Sequence, residues 1–167
     1  MQQLVLPVPG LGIEPLSRAS RPRVAPSRVA AQVHAFHRAF GLPRANTPSV
    51  ESVTDEVLRL RERLLDEETA EFAVASHRRD LVGMADALAD IVYVAYGTAV
   101  TLGLDLDLIL DEVHRSNLSK LDERGRPVLR HDGKVLKSPR YSPPDIAAVI
   151  AEQPTLPFGP AANESLS

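Results

Sequence analysis

The chain has 167 residues, enough for one ordinary domain with some excess at its ends. An apolar fraction of 44% can supply a core, and a net charge of −3 with no large basic block argues against nucleic acid or an anionic membrane as partner. Cysteine is absent, which excludes disulfides, thiolate zinc sites and cysteine nucleophiles and fits a reducing cytoplasm. No apolar run approaches the roughly 18 residues needed to span a bilayer. The N-terminal Leu4–Leu6 lacks a basic flank and is cut by Pro7 and Pro9, unlike a secretory signal. Residues 1–27, rich in proline and without periodicity, read as a disordered leader, 28–152 as the domain, and 153–167 as a flexible tail.

From Ser27 to Phe40, the positions Val29, Val33, Phe36 and Phe40 recur at spacings of three and four and predict a short amphipathic helix, ended by Gly41 and Pro43. Ser52-x-x-Asp55 resembles a capping box and predicts the start of a long helix. Val57, Leu60, Leu64, Leu65, Phe72 and Ala73 mark its buried side, and His77, Arg78 and Arg79 suit its negative end. Asp80 caps a third helix to about Leu102 that is apolar nearly all round, as at the centre of a bundle. Gly103 stops it, and Asp105 starts a fourth helix through Leu121. The period then changes: Pro127–Arg130 and Lys134–Lys137 flank His131-Asp132-Gly133 and predict a small β-hairpin. A last short helix runs from Ile146 to Glu152. The expected fold is all-α.

The chemistry-bearing residues lie on the second and third helices. Glu67, Glu68 and Glu71 fall at about 0°, 100° and 40° around the axis and share one side. Alone, such a run is a solvated face paired with Arg61 or Arg63. Asp86 and Asp90 alter that reading, because they share a stripe with Val82, Tyr93 and Gly97 on a greasy helix. Burying two carboxylates there costs several kcal/mol each without a cation, and no Lys or Arg lies within a turn. Antiparallel packing across the Ser76–Asp80 turn brings the two acid sets to one level. An all-oxygen cluster suits Mg²⁺ or Mn²⁺ and does not suit Zn²⁺ or copper.

Glu67-Glu68-x-x-Glu71, followed by Ala89-Asp90-Ile91-Val92-Tyr93-Val94, resembles the MazG-like nucleotide pyrophosphohydrolases of the all-α NTP pyrophosphatase superfamily, whose pattern is EExxE and then ExxD on the next helix. The likeness extends over residues 31–152. Phe36-His37-Arg38-Ala39, Tyr93-x-x-Tyr96-Gly97-Thr98-Ala99, Glu112-Val113-His114-Arg115-x-Asn117-Leu118-Ser119-Lys120 and Asp132-Gly133-Lys134-x-Leu136-Lys137 resemble the branch that contains the deinococcal MazG-like dUTP pyrophosphatases. One position departs: Ala87 stands where the pattern has its second-helix Glu, and Asp86, one turn from Asp90, is its replacement on the same stripe.

The resemblance implies Mg²⁺, or Mn²⁺ in its place, held by Glu67, Glu68, Glu71, Asp86 and Asp90, with Glu67 or Glu68 activating a water for attack on the α-phosphorus. The expected reaction converts a nucleoside triphosphate, best dUTP, to the monophosphate with release of pyrophosphate, or dUDP to the monophosphate with release of phosphate. Alternatives are phosphoribosyl-ATP, dCTP or a broad range of triphosphates on the same scaffold, or a catalytically weak helical nucleotide-binding or interaction module. Asn117 and Lys120 become candidates for phosphate or sugar contacts, Lys134 and Lys137 for closing over the phosphates, and Phe36, His37 and Tyr93 for the base side. Two long helices with one greasy face each cannot surround the third, so a homodimer or dimer of dimers is expected to complete a four-helix bundle.

Overall fold

The computed structural model describes residues 25–158, in which the chain forms five helices: α1 (Arg28–Ala39), α2 (Asp55–Arg78), α3 (Leu81–Leu102), α4 (Leu106–Leu118) and α5 (Ile146–Glu152). The fold is all-α, as expected. Each helix begins on a short polar side chain that accepts from a backbone N–H two or three residues into the first turn: Ser27, Thr54, Asp80, Asp105 and Asp145. The cap of α2 is therefore Thr54 and not Ser52. Ser52 is held in the preceding turn instead, where its N–H and hydroxyl both meet Ser49 Oγ.

No linker separates the two long helices. Arg79 closes α2 in the left-handed conformation (φ 55°), and the next residue, Asp80, already caps α3. α2 and α3 therefore return antiparallel along one another, while α1 crosses α3. Val33 of α1 meets Tyr96 and Val100 of α3 in the buried core, with Val29, Ala30 and Leu106 packed around it. Each large apolar side chain buried there contributes about 1.5–3 kcal/mol. The Tyr96 hydroxyl donates to Asp107 Oδ1 at 2.7 Å, and the backbone N–H of Ser27 donates to Asp107 Oδ2 at 2.9 Å. One carboxylate thus ties the start of α4 to both α1 and α3.

The loop between α1 and α2 seals the end of α3. Ala45 N–H donates to Val100 O, and Ser49 N–H to Leu102 O, each at 3.0 Å. Gly103 is needed there for two reasons: its φ is +68°, and a Cβ would lie 2.1 Å from the Thr47 carbonyl oxygen. α5 docks on α4 through the buried Glu112, whose Oε1 accepts from Asp145 N–H and from Arg115 Nη2, both at 2.8 Å.

Several expectations need correction. α4 ends at Leu118 and not Leu121, because Lys120 and Leu121 close short turns onto Asn117 and Leu118. The expected hairpin is a single antiparallel bridge, Leu129 to Val135, around Gly133 (φ +85°), and no strand forms among the described residues. Both sides of this bridge stay exposed, so no apolar face is covered to extend the pairing. α3 is not enclosed within one chain. Its C-terminal half is buried by α1, but Leu81 and Val82 at its start are 76% and 80% exposed. The side of α2 expected to be buried is likewise open: Leu60 and Ala73 are exposed, while Val57, Leu64, Leu65 and Phe72 are half-buried. Finally, α3 is long and apolar enough to cross a membrane by length and composition, contrary to the reading of the bare sequence. The same properties belong to a helix packed on others, and α3 packs along α2 and α1.

The proposed leader lies outside the described residues up to position 24, as does the tail from position 159. Residues 153–158 are docked: Gln153 bridges Gly103 O and Asp105 N–H, Leu156 is buried, and the Phe158 ring stacks on His34 at 4.0 Å.

Candidate active site

The α2–α3 hairpin presents the five acids together. Glu67, Glu68 and Glu71 stand on α2, and Asp86 and Asp90 on α3, at comparable distances from the Arg79–Asp80 junction. Their proximity shows in Glu68. Its carboxyl pKa is raised above the ordinary value first by partial burial and then by the charges of Asp90, Glu71, Glu67 and Asp86, in that order. Glu68 is half-buried and the other four are exposed. This corrects the expectation that Asp86 and Asp90 are enclosed in an apolar core: one chain covers α3 at that level only with α2. Ala87, by contrast, is turned inward at 2% exposure, whereas Asp86 faces outward with Asp90.

Among the described residues, no Lys, Arg or His forms an ion pair with any of the five. Arg61, expected among their partners, faces inward instead and is 8% exposed. The donor set is all carboxylate, uncompensated and open to solvent, which fits a hard divalent cation such as Mg²⁺. No three His, Asp or Glu side chains among the described residues are already drawn together as a closed ligand set. Four of the five carboxylates are exposed and free to rotate toward an ion.

The other candidate residues fall into two separate places. Phe36 and Tyr93 lie edge to face with ring centroids 5.6 Å apart, 38% and 37% exposed, one turn along α3 from Asp90. The His37 ring, its centroid 6.4 Å from that of Phe36, is 2% exposed, with Nδ1 2.8 Å from the Pro43 carbonyl oxygen. Asn117 and Lys120 are joined at the end of α4, Lys120 Nζ donating to Asn117 Oδ1 at 2.6 Å. Lys134 and Lys137 are exposed on the loop that follows, with Lys137 Nζ 4.3 Å above the Tyr141 ring. α4 packs chiefly on α5, and among the described residues no hydrogen bond or ion pair joins these four residues to the acids.

Sequence reasoning named His37 as a candidate but missed that it belongs to a basic group at the far end of the same face. His34, His37, Arg44 and Arg61 lie close enough to influence one another's charge, and the Nε atoms of Arg44 and Arg61 and Nε2 of His34 are buried without a hydrogen-bond partner among the described residues. The signal was present: Arg61 precedes Glu68 by seven residues, two turns along one face, and Gly97 follows Asp90 by the same interval.

Residues 33–117, from α1 to the end of α4 and including every one of the five acids, match the profile of a family described as phosphoribosyl-ATP pyrophosphohydrolase. An uncharacterized protein of Acanthamoeba polyphaga mimivirus is 33% identical over 106 residues, covering 62% of this chain and 39% of that protein. The chain thus spans about two fifths of that relative's length.

Proposed function

The chain belongs to the phosphoribosyl-ATP pyrophosphohydrolase family, and from that membership we propose that it is a Mg²⁺-dependent nucleoside triphosphate pyrophosphohydrolase whose preferred substrate is dUTP, with dUDP also accepted. The observation that carries this reading is the set of five carboxylates on facing helices, coupled through Glu68 and without a cationic partner among the described residues. Such a set repels a triphosphate unless a cation lies between them.

Glu68, Glu71 and Asp90 would hold Mg²⁺, with Asp86 in place of the Glu for which Ala87 stands. When bound, the ion would supply charge neutralisation for the phosphates and would lower the pKa of a nearby water. Glu67 or Glu68 orients that water and accepts its proton for in-line attack on the α-phosphorus. The products are the monophosphate and pyrophosphate from dUTP, and the monophosphate and phosphate from dUDP. Asn117, Lys120, Lys134 and Lys137 are candidate phosphate or sugar contacts. Within one chain they stand apart from the acids, so a second copy would have to deliver them. The open apolar flank of α2 and α3, including Leu60, Val74, Leu81, Val82, Leu88 and Val92, supports pairing as a homodimer.

A second reading, phosphoribosyl-ATP as substrate, is favoured by the description of the matched family. Pyrophosphate release from dUTP, dCTP, dTTP, ATP and phosphoribosyl-ATP with Mg²⁺ or Mn²⁺, beside EDTA and Asp90→Asn controls, decides between them. Release that disappears in both controls supports the reaction, and the fastest nucleotide names the substrate. Folded protein that turns over none of the five would refute the proposal.

A further inference from the structure

Arg61 is hard to explain as a structural residue. It is 8% exposed, its Nε has no partner, and it makes no hydrogen bond or ion pair among the described residues. Burial pulls its pKa down, the mark of a charge taken from water without compensation. A guanidinium offers five donors and no acceptor, so whatever completes it must be an acceptor.

Its surroundings narrow the chemistry. Gly97 carries no side chain at the point where a Cβ would lie 3.4 Å from Arg61 Nη1 and 3.0 Å from His37 Nε2, so both groups converge on one spot of α3. The Pro43 carbonyl, 2.8 Å from His37 Nδ1, can only accept, which places the imidazole proton on Nδ1. Burial first of all, helped by Arg61 and Arg44 and opposed by the Pro43 bond, lowers the ring's pKa and so favours its neutral form. Nε2 is then an acceptor beside the Arg61 donors.

The spot also lies where part of a nucleotide would reach. Arg61 is seven residues from Glu68 and Gly97 seven from Asp90, on the same helix faces, about 10 Å along the axes. The part-exposed rings of Phe36 and Tyr93 stand between the two ends. An anionic end for the metal and phosphates, a flat apolar middle and a paired donor and acceptor make a sequence that a nucleotide can match.

We propose that Arg61 and His37 are specificity-determining residues that read the base, Arg61 donating to a ring carbonyl and His37 Nε2 accepting from the adjacent ring N–H. The inference rests on the pyrophosphohydrolase reading and deepens it. Uracil, thymine and guanine present a carbonyl next to a ring N–H; cytosine and adenine present the reverse pattern, an amino group next to a bare nitrogen. Against these last two, the guanidinium faces a donor and stays unpaired, a mismatch that hydrogen-bonding sites reject strongly.

The test compares kcat/KM for dUTP and dCTP, with dUMP and dCMP binding, in the wild type, Arg61→Gln and Gly97→Ala. Arg61→Gln presents both a donor and an acceptor, and Gly97→Ala drives a methyl between the two readers. Expected are a wild-type preference for dUTP and its collapse by about tenfold or more in either variant, while pyrophosphate release stays Mg²⁺-dependent. Where Arg61→Gln does not fold, Arg61→Lys, which keeps the charge and loses the fork, takes its place. An unchanged dUTP:dCTP ratio in folded variants, with only stability altered, makes Arg61 structural and overturns the inference. A wild type that hydrolyses dCTP as fast as dUTP overturns it too, leaving the proposed reaction intact. No hydrolysis of any nucleotide and no dUMP binding sink both.

Discussion

Replacing Gly103 by alanine tests how tightly the first loop is locked over the end of α3. Two costs add. An alanine held at φ +68° is strained by about 1–2 kcal/mol. Its methyl would also start 2.1 Å from the Thr47 carbonyl oxygen, so the loop must retreat by an ångström or more. That retreat loosens the Ala45–Val100 and Ser49–Leu102 hydrogen bonds, each worth about 1 kcal/mol net. Together the loss is about 3–4 kcal/mol, which for a domain of this size lowers Tm by roughly 10–15 °C. The control is Gly41→Ala, at φ +64° with nothing within 4 Å of the new methyl, which isolates the backbone strain. It is expected to lower Tm by roughly 3–6 °C. Thermal unfolding of both variants by circular dichroism decides the matter. Equal losses at Gly103 and Gly41 would mean that the contact with Thr47 yields freely, and the argument for a locked loop would fail.

Asp90→Asn removes a ligand and a like charge together. Pyrophosphate release should fall about 100-fold or more, and Tm without metal should hold or rise slightly, while the rise in wild-type Tm on adding Mg²⁺ should vanish. A variant still stabilised by Mg²⁺ would place the ion elsewhere. Glu112→Ala leaves Arg115 and the N–H of Asp145 without their shared acceptor at a 2% exposed site. A loss of about 3 kcal/mol is expected, with faster amide exchange in α5, and unaltered α5 protection would refute it. His34 and His37 both have pKa values lowered from 6.5, mainly by burial. The unfolded chain therefore takes up their protons first as pH falls, and stability should drop through about pH 6.5 and below. A Tm that stays flat between pH 7.5 and pH 5.5 would count against that buried pair.

What could be read from the amino acids alone was whatever is decided locally. Asp80, Asp105 and Asp145 cap helices because a short carboxylate just before an apolar run has a nearby N–H to accept from. Ser52 and Thr54 compete within one loop, and only the path of the chain selects Thr54. The likeness of Glu67, Glu68, Glu71 and Asp90 to a MazG-like pattern pointed to an all-α nucleotide pyrophosphohydrolase, and the match over residues 33–117 bears out that coarser reading through the phosphoribosyl-ATP pyrophosphohydrolase family, not the MazG-like family or its dUTP branch. Burial was less legible. The apolar composition of α3 suggested cover on every side, but a single chain supplies only α2 and α1, so Asp86 and Asp90 face outward. Arg61 was read as a surface partner of the acids, and its inward position was missed for the opposite reason. It is buried beside Gly97 of α3 and near His37 of α1, and nothing in the residues around position 61 announces that packing.

The direct joining of Arg79 to Asp80 makes the acid cluster sensitive to chain length. With the last residue of one helix and the cap of the next adjacent, there is no slack to absorb an insertion. One added residue that extends α3 would turn Asp86 and Asp90 by about 100° away from Glu68 and Glu71 while leaving both helices folded. Seven added residues would restore the phase but separate the two sets by about 10 Å. Chains descended from this one can therefore vary the residues at this corner more freely than their number, and a gain or loss of one there would leave a folded protein with its carboxylates out of step.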